Sequence, residues 1–179
     1  MTHNLDSGII GAHPYMSENP VNFNEGFKPG YLGRMIQLQG EYYDVVWAVP
    51  GQNFECMMAR QMCDFHDTYV PGRDLLLSAH VDGVLAGHIA VVGVPSERPG
   101  ARLRWFHVEE KYQGRGIGRE LLTGAIDFCR SHGFKVVWLW TMEGLDAARH
   151  LYINFGFKPV ASVTTALPFH GTTLELSLG

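Results

Sequence analysis

The sequence predicts an α+β domain in which helices flank a central mixed, mostly antiparallel sheet. Three observations carry this. Two helical apolar stripes come before any long strand, an Asp-Gly hairpin follows them, and a glycine-rich turn then joins a strand to an amphipathic helix. The predicted element order is β-α-α-β-β-β-α-β-α-β-β.

Residues 1–22 hold prolines and glycines without an apolar period and read as a tail or arm, so the folded domain is expected over residues 23–179, starting near Phe23. From Gly30 to Trp47 apolar residues recur at three- and four-residue steps, the signature of a helix, which Pro50 and Gly51 then break. Phe54, Met58, Met62 and Phe65 form a second stripe, ended near Pro71-Gly72. The period then changes. Residues 74–80 and 83–94 are short apolar runs joined through Asp82-Gly83, a strong hairpin signal. A third run, Arg102 to Val108, leads into the glycine turn. Ile117, Leu121, Leu122, Ala125, Ile126 and Cys129 follow as an amphipathic stripe that stops at Gly133. A β-rich run over Lys135–Thr141, a short helix over Leu145–Phe155 closed by Gly156, and strands near Val160–Thr165 and Thr172–Leu178 complete the chain.

Composition narrows the class. A length of 179 residues suits one domain of the usual ~100–200 residues, and 46% hydrophobic with 18% charged residues is a globular balance. The net charge of -4 offers no basic footprint for nucleic acid. No basic-then-apolar leader opens the chain and no run approaches the ~20 apolar residues that cross a bilayer, so the expectation is a cytoplasmic protein without a membrane or nucleic-acid partner. Cys56 and Cys63 lie seven apart on one predicted helix, about 10 Å at ~1.5 Å per residue, beyond disulfide reach. With Cys129 they are expected to be reduced, buried thiols. The nine histidines lack metal-ligand spacing, so no metal site is expected.

The glycine turn, within WFHVEEKYQGRGIGREL (Trp105–Leu121), excludes two phosphate motifs. A P-loop needs Lys followed by Ser or Thr after its last glycine, and a dinucleotide fingerprint needs glycine where Arg119 stands. What remains is Gln113-x-x-Gly116-x-Gly118 between strand and helix. Its backbone can bend tightly, present the N–H groups of the helix's first turn and take a diphosphate, with Arg115 and Arg119 at hand. A plain strand-to-helix turn with solvated arginines has the same spacing, and spacing alone leaves the two open.

A second motif narrows the choice. Val108–Arg119 together with Ala148-Arg149-His150-Leu151-Tyr152-Ile153-Asn154-Phe155-Gly156-Phe157 resembles the two conserved blocks of the GCN5-related N-acetyltransferase (GNAT) family, and the element order resembles the GNAT fold over roughly residues 23–178. The wording of Leu103–Gly118 and Gly144–Tyr152 further resembles GNAT domains fused behind MarR-type DNA-binding domains, without the MarR part. The resemblance implies an N-acetyltransferase that moves an acetyl group from acetyl-CoA, as co-substrate, to a primary amine of a small molecule or peptide by direct attack in a ternary complex. It implies that the backbone of Gln113, Gly114, Arg115, Gly116, Ile117, Gly118 and Arg119 holds the CoA diphosphate. Phe106, His107 and Val108 would align the pantetheine and thioester, with one strand N–H set for the oxyanion. Tyr152 is implied as the general acid, a phenol of pKa ~10 being matched to a thiolate. A place in the core is its plain alternative.

Glu109 is the first candidate for the general base, directly or through water, with His107, Glu41, His66 and Asp67 behind it. Many family members carry Asn where this chain has Leu145, which removes one expected CoA contact. The first two helices, Tyr31 to Tyr69, would wall the acceptor side with Tyr42, Tyr43, Trp47, Phe54 and Phe65, and Arg104 could take an acceptor carboxylate if it faces the cleft. The rival readings are a non-catalytic acyl-CoA sensor and a partner-dependent subunit docked through its tail. A homodimer is compatible with either.

Overall fold

A single seven-stranded sheet in the order β1-β2-β3-β4-β5-β7-β6 organises the chain. The computed structural model describes residues 19–47, 51–95, 97–164 and 170–179. The strands are β1 (Val21–Glu25), β2 (Leu75–Val81), β3 (Val84–Val92), β4 (Ala101–Val108), β5 (Val136–Met142), β6 (Lys158–Thr164) and β7 (His170–Ser177). The helices are α1 (Tyr31–Trp47), α2 (Gly51–Thr68), α3 (Ile117–Ser131) and α4 (Asp146–Asn154), with one 3-10 turn at Glu110–Tyr112. All strand pairs are antiparallel except β4 with β5. The predicted order of elements holds throughout.

Each face of the sheet is covered by its own pair of helices. Leu75, Leu77, Ile89 and Leu103 join the inner stripe of α3 and Tyr152 of α4 in one apolar cluster. Leu76, Leu85, Ala90 and Trp105 join Met35, Leu38, Phe54, Met58, Met62 and Phe65 of α1 and α2 in the other. Strands buried on both faces read as the continuous apolar runs seen in the sequence. The hairpin closes as its Asp-Gly predicts: Val81 faces Val84, and Asp82 and Gly83 both have positive φ, 52° and 76°.

The two later helices end alike. In α4 the N–H of Phe157 reaches the Tyr152 carbonyl (3.1 Å) and that of Gly156 reaches Ile153 (2.9 Å), with Gly156 at φ 91°. This is the Schellman pattern, in which the residue past the glycine folds back on the last turn. It sets the Phe157 ring 5.8 Å from Tyr152. The spacing Leu-Tyr-x-x-x-Gly-Phe is thus a helix stop that fixes the tyrosine. In α3, Phe134 and Gly133 repeat the pattern onto Cys129 and Arg130.

Several expectations are corrected. β1 opens at Val21, inside the segment read as tail; residues 1–18 of that segment lie outside the described residues, as do Pro50, Thr165 and the Trp47 side chain. The first helix does end before Gly51, which itself opens α2. Cys56 and Cys63 are exposed rather than buried, because Phe54, Met58, Met62 and Phe65 take the inner face of α2 and turn both thiols outward. Only Cys129 of the three is buried, and burial pushes its thiol up to about 12.

Candidate active site

The parallel pair β4 and β5 opens almost as soon as it forms. Their register covers Ala101 with Val137 and Arg102 with Trp138, and stops there. From Leu103 onward β4 stays paired to β3 but has no partner on its β5 side. A bulge helps to turn it. Between His88 and Ala90 of β3 the partner register on β4 runs from His107 to Arg104, and Trp105 within that step has φ 50°. A bulky residue in the left-handed region costs about 1–3 kcal/mol and persists only where its surroundings hold it. Trp105 is held: it is 8% exposed, packed against Phe65 with ring centroids 5.3 Å apart.

The gap between the strands is a cavity of about 1150 Å³. That exceeds the ~300–1,000 Å³ of a usual single-ligand pocket. Its floor is β4 and β5. One wall is Tyr112–Gly114, Gly116–Arg119 and the first turns of α4, and the other is α1 and α2.

The first wall is built from backbone. After the 3-10 turn the chain extends through Gln113, whose side-chain Nε2 donates to the Val108 carbonyl at 3.0 Å and ties the turn to the end of β4. Gly116 caps α3 at φ 80° with no side-chain cap, and the first backbone bond of the helix runs from Glu120 N to Gly116 O (3.1 Å). The N–H groups before Glu120 therefore have no partner within the helix, at its positive end. A Cβ on Gly116, which lines the cavity, would meet no protein atom within 4 Å, so the space beside it is open, whereas one on Gly118 would come within 3.3 Å of Phe106 Cζ. The glycines serve two needs: conformation and room at one, close helix-to-strand approach at the other. Leu145 stands as N-cap of α4, also without a side-chain cap, and lines the cavity.

Among the predicted residues, Tyr152, Phe106, His107, Val108, Gln113, Gly114, Gly116, Ile117, Gly118 and Arg119 are brought together on the cavity. Arg115 is not on it. Its Nη2 donates to the Asn19 carbonyl at 2.6 Å, outside the site. Glu109 also stands off the cavity wall, its Oε2 held by Arg34 (3.1 Å) and its Oε1 by Lys111 (2.9 Å). Glu41 bonds Gln37, and His66 pairs with Asp67 at the exposed end of α2, all away from the cavity.

Tyr152 is 6% exposed, with Phe106 5.9 Å away. Burial, then Tyr43 across the cavity, raise its pKa well above the phenol value, so it keeps its proton at any physiological pH. The core and the catalytic readings of this residue are compatible, since a core side chain can have its hydroxyl end at a cavity wall. His107 pairs with His88 across the strands. Burial lowers the His107 pKa to about 4 and lowers that of His88 well below its usual value, so both rings are neutral near pH 7. His88 holds Gln39 at 3.1 Å.

The second wall was only partly foreseen. Tyr43 stacks on Phe54 (4.3 Å) and both line the cavity with Tyr42, but Phe65 lies in the core behind them. Arg104, expected here if it faced the cleft, lines the cavity, whereas Met57, Met58, Gln61, Arg98 and Arg102 were not named for this wall. Arginines spaced by two on one strand share a face, and that alternation was the available signal. Among the described residues no group of three His, Cys, Asp or Glu side chains is placed to hold a metal ion, and none of the helices is long and apolar enough to cross a membrane.

Comparison with known proteins agrees with this geometry. The acetyltransferase (GNAT) family model matches residues 34–157. N-acetylaspartate synthetase from Rattus norvegicus is 30% identical over 69% of this chain and 41% of its own length. The N-alpha-acetyltransferase RimI from Mycobacterium tuberculosis is 33% identical over 56% of this chain and 58% of its own. The chain thus spans about two fifths to three fifths of the curated relatives it matches. A putative GNAT acetyltransferase from Desulfovibrio desulfuricans superposes with TM-score 0.71 at 16% identity, covering 89% of this chain and all of that one. A putative acetyltransferase from Salmonella typhimurium, solved with its cofactor acetyl-CoA, superposes with TM-score 0.60 at 20% identity over 88% of this chain and 95% of that one.

Proposed function

Because the chain belongs to the acetyltransferase (GNAT) family, we propose that it is an N-acetyltransferase carrying an acetyl group from acetyl-CoA to a primary amine of a small molecule or peptide. The observation that carries this is the cavity where β4 and β5 part, with an uncapped helix start on one side and a proton-bearing phenol on its wall.

The residues present fit acetyl-CoA. The open side of Gly116 and the unpaired N–H groups of the first turn of α3 suit a diphosphate, with Arg119 beside them, and the free edge of β4 from Leu103 suits an extended amide arm. Arg115 would act through its backbone alone. Acetyl-CoA supplies the acetyl group as a thioester: the C–N bond to the amine forms and the C–S bond breaks. The chain's own groups manage the charges of that exchange. Unpaired β4 N–H groups are available to the carbonyl oxygen as it gains negative charge. Tyr152 gives its proton to the departing sulfur. The amine sheds its proton to water, and Glu109, held off the wall, can receive it only through a relay.

The finer kinship with MarR-fused GNAT domains rests on the wording of Leu103–Gly118 and Gly144–Tyr152. A cytoplasmic setting, free of membrane and nucleic acid, fits the acidic balance of the chain. Calorimetric titration with acetyl-CoA, followed by a free-thiol assay over a panel of amines, tests the function. Micromolar binding with amine-dependent thiol release is expected. Absence of binding at millimolar acetyl-CoA sinks the proposal, and binding without thiol release turns it to the alternative, an acyl-CoA sensor.

A further inference from the structure

On the acceptor side of the cavity, away from Arg119 and the glycine turn, one guanidinium has no acid beside it. Of the three arginines there, Arg98 pairs with Glu175 and Arg102 with Glu97, and both lie over the Trp138 ring, at 5.4 and 4.9 Å. Arg104 is different. Its guanidinium lies 4.3 Å over Trp105 and its Nη2 donates to Gln61 Oε1 at 2.5 Å, but among the described residues no carboxylate reaches it. Glu97 acts on it from a distance and is already engaged by Arg102. One neutral amide takes one of its five N–H donors. Burial, and then the charge of Arg102, pull its pKa down to about 10, so it remains a cation at neutral pH while partly stripped of water. The surrounding wall adds more free donors than acceptors: Arg102 Nε and the indole N–H groups of Trp138 and Trp140 are buried without a hydrogen-bond partner, against one such hydroxyl, Thr141 Oγ1. Such a wall is short of negative charge.

We propose, resting on the acyl-transfer reading above, that the acceptor amine also carries a carboxylate, which Arg104 binds while an apolar body lies along Tyr43, Phe54 and Met58. A hydrophobic α-amino acid is the simplest such molecule. Arg104 is the one unneutralised cation among these three, so it matches one carboxylate rather than two. A peptide N-terminus presents a neutral carbonyl at the same place. The fork of an arginine suits a carboxylate in two parallel hydrogen bonds, and its fixed position on β4 sets how far the amine stands from the carboxylate.

The test uses the full chain and two readouts. Thiol release from acetyl-CoA is followed with leucine and phenylalanine, with their amides, with aspartate and with a short peptide. In parallel, N-acetylleucine and N-acetylleucinamide are titrated calorimetrically with and without CoA, which needs no turnover. The expected result is a preference for acid over amide of about 30-fold or more in kcat/KM and in product affinity, the scale of a charge-assisted pair. Arg104→Met should erase it and Arg104→Lys restore part of it, with acetyl-CoA affinity unchanged in both. Equal acid and amide in the unaltered protein, a preference surviving Arg104→Met, or a better rate with aspartate or the peptide overturns the proposal. If acetyl-CoA itself does not bind, the acyl-transfer reading falls, and N-acetylleucine titrated alone still decides whether Arg104 holds a carboxylate.

Discussion

The two walls of the cavity recognise by different means. The wall of the glycine turn and α4 offers backbone: a positive-φ cap, the unpaired N–H groups of a helix start, and a strand edge released from its neighbour. The wall of α1 and α2 offers side chains: stacked aromatic rings, two methionines and an arginine on an amide. Backbone recognition tolerates changes of side chain but not of chain geometry, while side-chain recognition changes with any single replacement. A fold can therefore keep one donor and exchange its acceptors without moving an element. Tyr152 stands between the two, held by the helix stop of one wall and electrostatically coupled to Tyr43 of the other.

The largest expected effect tests that middle position. Tyr152→Phe keeps the ring and its packing on Phe106 and Phe157 and removes only the proton donor. We expect kcat to fall by about 10²–10³, the usual worth of general acid catalysis, with acetyl-CoA affinity unchanged. An unchanged kcat rejects the acid role. The pH profile gives a second check. Because the folded pKa of Tyr152 is raised, its contribution to stability is full below the unfolded phenol value of ~10 and erodes only above it. The rate should hold to about pH 10 with no alkaline loss from this group.

Next is the backbone wall. Gly116→Val places a β-branched residue at φ 80° and fills space that no protein atom occupies. The stability cost should be about 1–2 kcal/mol, that of a left-handed residue, read by denaturant unfolding. Acetyl-CoA affinity should fall about 100-fold, because both the cap and the open side are lost. Arg115→Ala, whose side chain turns to the Asn19 carbonyl and does not line the cavity, should change that affinity by less than about threefold, since a change with no shared partners leaves the site's contacts in place. Equal losses in the two variants would break the contrast between backbone and side-chain recognition.

The acceptor wall leans on a buried neutral pair, and acid should loosen it. His107 and His88 are both depressed in the folded state, His107 to about 4, chiefly by burial. The unfolded chain binds their protons first, at about 6.5, so stability is full above pH 6.5 and is lost as pH falls toward 4. The loss for His107 is on the order of 3 kcal/mol, and His107→Gln should flatten part of the Tm profile between pH 6.5 and 4, leaving the share of His88. A profile unchanged by the substitution would remove His107 from this account.

The same contrast explains what could be read from the residues in order. Backbone devices leave local marks: Asp82-Gly83 gave the hairpin, Gly116 and Gly118 the turn, and Gly156-Phe157 the stop that fixes Tyr152. Side-chain walls assemble from distant segments, so single members such as Tyr43, Phe54 and Arg104 could be named but not the residues they meet. Gln61 meets Arg104 across 43 positions, and Arg34 meets Glu109 across 75. The outward face of Cys56 and Cys63 needed only the angle they make with Phe54 and Met58 on one helix. The positive φ of Trp105 had no signal at all, since no glycine marks that bulge.

The smallest expected effect concerns Glu109. A base acting directly must reach the amine, and Glu109 lies off the cavity wall with each oxygen held by a cation. Glu109→Gln keeps the shape and the hydrogen bond from Arg34 but removes the charge. If Glu109 ends a water relay, kcat/KM should drop by about tenfold near neutral pH, less than the ~10²–10⁴ of a base in direct contact. A loss of 10³ would mean that the carboxylate swings onto the wall and touches the substrate. An unaltered kcat/KM would mean that the amine gives its proton to bulk water, and that α1 holds Glu109 through Arg34 only to fix the end of β4.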